Sequence, residues 1–157
     1  MGGEFAQKEE WNSGTSLSWD RSKEPMPAGV ASMLGDLNQL QQHHAAFSEW
    51  DHDARGFEWL SGEDKEQSVI SFLRRSEYET VVVVLNFTPL AREGYRVPVP
   101  MSGTYSELFN SDTVAYGGSG VHIQGELYTE AVPYHGREHS LCFTLPPLGG
   151  VVLRYQS

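Results

Sequence analysis

The chain has 157 residues and a formal net charge of −10, from 21 acidic and 11 basic side chains. That is enough for one domain of about 100 to 150 residues with a core, but short of the roughly 250 residues of a complete (β/α)8 enzyme. The charge argues against nucleic acid as a partner, because affinity there comes from Lys and Arg displacing condensed counterions. A neutral polysaccharide is not repelled, and 4 Trp, 7 Tyr and 7 Phe are available to stack on one. Cys142 is the only cysteine, so an intrachain disulfide scaffold is excluded and a reducing cytoplasm is the expected setting. No membrane partner is expected, since no run reaches the ~20 apolar residues of a spanning helix and no apolar signal segment opens the chain.

Residues 8–27 are polar, broken by Gly14, Pro25 and Pro27, and predict a long loop. Val30, Met33, Leu34, Leu37 and Leu40 then recur at helical spacing and predict an amphipathic helix over residues 27–43. No second helix follows to receive that stripe. From about residue 54 onward the pattern is one of short strands at roughly 8 to 12 residue spacing without intervening helices, the signature of an antiparallel sandwich or barrel. Strands are predicted over 56–61, 66–75, 80–87, 103–109, 125–129, 141–145 and 151–155. The β-branched run Val81-Val82-Val83-Val84-Leu85 predicts a strand buried on both faces in the middle of a sheet. Leu141, Phe143 and Leu145 alternate with polar positions, as in a strand with one face on a core. Gly62-Glu63-Asp64, Gly94 and Gly117-Gly118-Ser119-Gly120 read as turns or loops, the last a flexible one.

Few residues signal chemistry by spacing alone. His43-His44 and Asp51-His52-Asp53 match neither a His-Glu-x-x-His helix nor a Cys/His zinc spacing, so no metal and no cofactor are expected. The Gly117 to Gly120 segment lacks the Lys-Ser/Thr of a phosphate loop. Cys142, in a predicted strand without a His or Asn arrangement, reads as a buried structural thiol. Asn86-Phe87-Thr88 fits the glycosylation pattern but is not expected to be used in a cytoplasmic chain. Phe57 and Trp59 alternate onto one face of a strand. Turned inward they are core, the default; turned outward they form a stacking platform for sugars, so Trp59 is a candidate substrate contact.

Several motifs together carry a resemblance. Met1-Gly2-Gly3-Glu4-Phe5-Ala6-Gln7, Glu10-Trp11-Asn12, Gly56-Phe57-Glu58-Trp59-Leu60, Asn86-Phe87-Thr88-Pro89, His135-Gly136-Arg137 and Leu145-Pro146-Pro147-Leu148-Gly149 are similar to the C-terminal end of bacterial 1,4-α-glucan (glycogen) branching enzymes, of the α-amylase superfamily. The segment Phe47-Ser48-Glu49-Trp50-Asp51 departs from the family pattern. The resemblance implies that residues 1–45 are the end of a catalytic (β/α)8 barrel (last strand end, loop and last helix) and that 46–157 are a C-terminal all-β sandwich domain. It implies a chain that begins inside a larger domain, with the partners of the helix stripe in the rest of the barrel. Retaining transfer needs two carboxyl groups about 5 to 5.5 Å apart; in this family they come from earlier barrel strands, so no residue here is expected to be catalytic. Loops at the C-terminal ends of barrel strands form the active-site rim, which makes Glu4, Gln7 and Trp11 candidate glucan contacts. The expected function is therefore that of a branching-enzyme C-terminal part, inactive alone, supporting the barrel and contacting α-glucan. An autonomous carbohydrate-binding module, or the tail of a trehalose-forming or maltosyl-transferring enzyme, stands as the alternative.

Overall fold

In the computed structural model, which describes residues 1–156, one helix precedes eight strands. Helix α1 is Pro25–His43, and the strands are β1 (Phe57–Asp64), β2 (Val69–Arg75), β3 (Thr80–Asn86), β4 (Arg92–Val99), β5 (Thr104–Asn110), β6 (Glu126–Tyr128), β7 (His139–Leu145) and β8 (Gly150–Gln156). Every named pairing is antiparallel. Six strands form one sheet in the order β1-β2-β3-β8-β5-β6, and β4 pairs with β7 in a second. The expected mainly β sandwich is what forms.

The sequence pattern explains the layering. Val82 and Val84 of β3 point inward with Val69, Leu73, Val151 and Leu153, and meet Val97, Val99, Leu141 and Leu145 of the small sheet in one core. Val81 and Val83 point the other way and are buried there too, so the continuous valine run is a central strand covered on both sides. Each fully buried aliphatic side chain contributes on the order of 1.5 to 3 kcal/mol.

The outer cover is helix α1. Pro25 and Pro27 both fit its first turn, where no N–H is required, so it starts two residues before the predicted position. Leu40 packs with Ala46, Val81, Val83 and Val152 on the outer face of the large sheet. The apolar stripe therefore finds part of its partner inside this chain, which corrects the expectation that all of it lies elsewhere. Val30, Met33, Leu34, Leu37 and Leu40 are nevertheless only half-buried. Near the other end, Gly29 lies so close to the 3₁₀ turn Val114–Tyr116 that a Cβ would sit 2.4 Å from the Tyr116 carbonyl oxygen.

Three strands depart from the sequence reading. Strand β2 begins at Val69 and not at residue 66, because the turn before it falls at residues 65–68. Gly62-Glu63-Asp64 continue β1 instead of turning. Strand β4 was not predicted, because Gly94 reads as a turn or loop signal. Gly94, at φ 59°, occupies an irregularity between Arg92 and Tyr95, and Pro98 is tolerated because a two-stranded sheet leaves one side of β4 without backbone partners.

Candidate functional site

The N-terminal loop holds three of the four candidate contacts. Gly2, at φ 85°, and Ala6, at φ 50°, bracket a 3₁₀ turn, Gly3–Phe5, that drives Phe5 inward to 5.7 Å from the Trp19 ring. Gln7 is engaged by the loop itself: its Oε1 accepts from the Ser18 N–H at 3.0 Å and its Nε2 donates to the Glu9 carbonyl at 3.1 Å. Glu4 is exposed, and a hydrogen bond from its own backbone N–H holds its carboxyl below the usual range. It is thus an anion at neutral pH, an acceptor and not a proton donor. Trp11 is 54% exposed and lines a shallow hollow with Met1, Leu17 and Trp19, itself 59% exposed. Trp19 is a second free indole at this place that sequence spacing did not single out. Arg21 closes the loop with ion pairs to Glu9 (2.9 Å) and Glu24 (3.4 Å).

The fourth candidate lies on a different surface. Phe57 and Trp59 turn outward, not into the core, and Trp59 is 57% exposed. Its ring stands 5.0 Å from Phe57 and 5.8 Å from Phe72, both edge-on, making a three-ring platform on the outer face near the β1 edge. The candidates therefore divide into a loop group (Glu4, Gln7, Trp11) and a sheet group (Trp59).

The remaining motifs serve the fold. In Tyr134–Arg137, paired backbone hydrogen bonds enclose His135 (φ 45°) and Gly136 (φ 76°), a hairpin turn that requires positive φ at both positions. The turn aims Arg137 at Glu58 of β1, which Arg75 also holds at 2.7 Å. Asn86 is buried with its amide committed to the Leu90 and Pro146 carbonyls, so it is inaccessible to glycosylation. Cys142 is half-buried on the outward side of β7, where its Sγ donates to the Gly94 carbonyl, which corrects the reading of a buried thiol. Gly117 to Gly120 are not a loose loop: the buried Asp112 carboxylate accepts from the Ser119 N–H, the Ser119 hydroxyl and the Val121 N–H.

Among the described residues no three His, Cys, Asp or Glu side chains cluster to hold a metal. His43 Nδ1 is bonded to the Gln39 carbonyl (2.8 Å) and His44 Nδ1 to Glu79 (2.7 Å). No helix among these residues is long and apolar enough to cross a membrane.

Residues 59–156 match the family described as alpha amylase, C-terminal all-beta domain. The chain belongs to that family. Sequence relatives extend the likeness over residues the family match leaves out. The 1,4-alpha-glucan branching enzyme GlgB of Rubrobacter xylanophilus is 52% identical over 156 residues, 98% of this chain and 22% of that protein. Those of Salinibacter ruber and Nitrosococcus oceani are each 44% identical, over 98% and 100% of this chain and 24% and 21% of theirs. The chain thus spans about a quarter or less of the curated relatives it matches. Among solved structures, an α-amylase from H. orenii (TM-score 0.53, 18% identical, 93% of this chain and 24% of that one) and a trehalulose synthase mutant in complex with Tris (TM-score 0.51, 16% identical, 89% and 20%) share the fold. Trp59 is the first position of the amylase C-terminal domain match, whereas Glu4, Gln7 and Trp11 precede it.

Proposed function

We propose that this chain works as the C-terminal part of a glycogen branching enzyme, which transfers an α-1,4-linked glucan chain to a 6-hydroxyl to create an α-1,6 branch. The observation that carries this reading is the 52% identity to the Rubrobacter xylanophilus branching enzyme across 98% of the chain, because it includes the loop and helix before the all-β domain. In this reading residues 1–45 complete the catalytic barrel, and 46–157 are the sandwich that supports it. The barrel and α-glucan are the partners, and the cytoplasm, where the Cys142 thiol stays reduced, is the setting.

No residue here is assigned to catalysis. Double displacement needs a nucleophile and an acid/base about 5 to 5.5 Å apart, and Glu4 is a single, ionised carboxylate. Its role with Trp11 is to line the glucan cleft, the carboxylate accepting from sugar hydroxyls and the indole covering a pyranose face. Gln7 holds the loop that presents them. The test is a chimaera in which this chain replaces the matching 156 residues of the Rubrobacter enzyme. Branch formation on linear α-1,4-glucan is expected from the chimaera and none from this chain by itself. A folded chimaera that binds glucan yet forms no branches would refute the assignment.

The exposure of Trp59 favours a second contribution, glucan contact on the sandwich. In affinity electrophoresis through glycogen-containing gels the chain is expected to be retarded, and Trp59→Ala to lose most of that retardation. Equal migration of wild type and variant would leave the sandwich a purely supporting domain.

A further inference from the structure

A cleft of about 410 Å³ separates the second half of α1 from the outer edge of β5 and the turn that follows. That is within the size range of ligand pockets, roughly 300 to 1,000 Å³. Its lining has two characters. Phe109 and Tyr116, stacked at 5.9 Å with 25° between their planes, join Leu40 and Leu108 in an apolar wall. From α1 and its C-terminal end come the polar side chains of Asp36, Gln39, His43 and His44. No Lys or Arg lines the cleft, so it offers no fixed positive charge to a phosphate or a carboxylate.

The polar groups are held by neighbours in a way that leaves binding capacity toward the cleft. Asp36 accepts the Tyr116 hydroxyl through Oδ2 at 2.6 Å, which fixes the ring and keeps Oδ1 as an acceptor. The imidazoles of His43 and His44 each use Nδ1 within the protein, leaving Nε2. Glu107, paired with Leu153, turns its carboxylate to the inner side of the sheet, where Oε2 takes the Asn110 amide and the Ile123 N–H, and it adds no free acceptor to the cleft. Gln39 is exposed and supplies both a donor and an acceptor. Aromatic and aliphatic surface beside carboxylate, amide and imidazole groups that accept from and donate to vicinal hydroxyls is what a neutral pyranose ring requires.

We infer that this cleft between α1 and β5 is a saccharide-binding site that takes one or two glucose units of an α-glucan, separate from the loop and from the Trp59 platform. The choice of glucan rests on the branching-enzyme reading; the saccharide chemistry rests on the lining. Burial and the Asp36 carboxylate push the Tyr116 phenol up to about 12, so the hydroxyl stays protonated and its bond to Asp36 holds throughout the neutral range.

The test is titration of the full chain with maltoheptaose, followed by NMR of the side chains of Tyr116, His43 and His44, with cellohexaose as the control sugar. Progressive shifts at these residues are expected, with a dissociation constant on the order of 1 mM for so small a contact. The double substitution Gln39→Ala/His43→Ala lies on an exposed helix face and is expected to weaken the response about tenfold by removing hydrogen bonds, while Trp59→Ala leaves it unchanged. Shifts with cellohexaose and none with maltoheptaose would keep the saccharide site and overturn its α-glucan assignment. Silence at Tyr116, His43 and His44 with both sugars would overturn the site, even if the chimaera forms branches.

Discussion

Asn86→Ala is expected to lower the unfolding free energy by about 3 kcal/mol, read as a fall in the urea midpoint at an unchanged slope. Asn86 is 2% exposed and uses its whole side chain: Nδ2 donates to the Leu90 and Pro146 carbonyls at 2.9 and 2.8 Å, and Oδ1 accepts from the Thr88 N–H and hydroxyl at 3.0 and 2.8 Å. Truncation strands Pro146 O in a buried place, and an orphaned buried acceptor costs roughly 1 to 3 kcal/mol, on top of about 1 kcal/mol for each further bond lost. The backbone adds two more ties across the same seam, Asn86 N–H to the Gly149 carbonyl and Leu148 N–H to the Thr88 carbonyl. The segments 86–89 and 145–149, two of the motifs by which the chain resembles its relatives, are therefore one clasp. A loss below about 1 kcal/mol would mean that water replaces the amide and that the clasp is weaker than its geometry indicates.

Asp112→Ala is expected to cost a similar amount, about 3 kcal/mol, and to act at a distance. Its carboxylate, 6% exposed, accepts three hydrogen bonds of 2.6 to 2.9 Å from Ser119 and Val121. Charge-assisted bonds contribute roughly 1.5 to 3 kcal/mol each before the desolvation of the carboxylate is subtracted. Gly118 passes so close that a Cβ would lie 2.2 Å from the Asp112 carbonyl oxygen. The loop wound around Asp112 carries Tyr116, which grips α1 through Asp36 and through close approach to Gly29. Hydrogen exchange in the variant should accelerate in residues 25–43 as well as in 113–121. Acceleration confined to the loop would show that the helix is held by Leu40 and its neighbours on the sheet instead.

What the sequence discloses depends on whether the deciding interaction is local. The valine run and the alternation at 141–145 are local, and both strands form where predicted. The Gly94 signal is local as well and misleads, since the strand takes that glycine up in an irregularity between Arg92 and Tyr95 and continues. Trp59 illustrates a different gap: alternation puts Phe57 and Trp59 on one face, but which face points outward is settled by the pairing with Phe72 and the small sheet behind. Glu4, Gln7 and Trp11 became candidates only through their motif. Trp19 joins them because the 3₁₀ turn folds Phe5 against it, a contact between residues 14 positions apart. Nothing near Asp112 in sequence announces that its carboxylate organises a loop several residues further on.

The place of β8 governs the order in which the sandwich can assemble. The last strand of the chain lies between β3 and β5, so Val81 to Leu85 have no partner on that side until residues 150–154 arrive. On the ribosome the β1-β2-β3 meander must wait for more than 60 further residues with a valine-rich edge open, the kind of edge that recruits strands from other chains. Nascent chains halted before residue 150 are therefore the species most exposed to aggregation, and the whole sheet closes in a single late event.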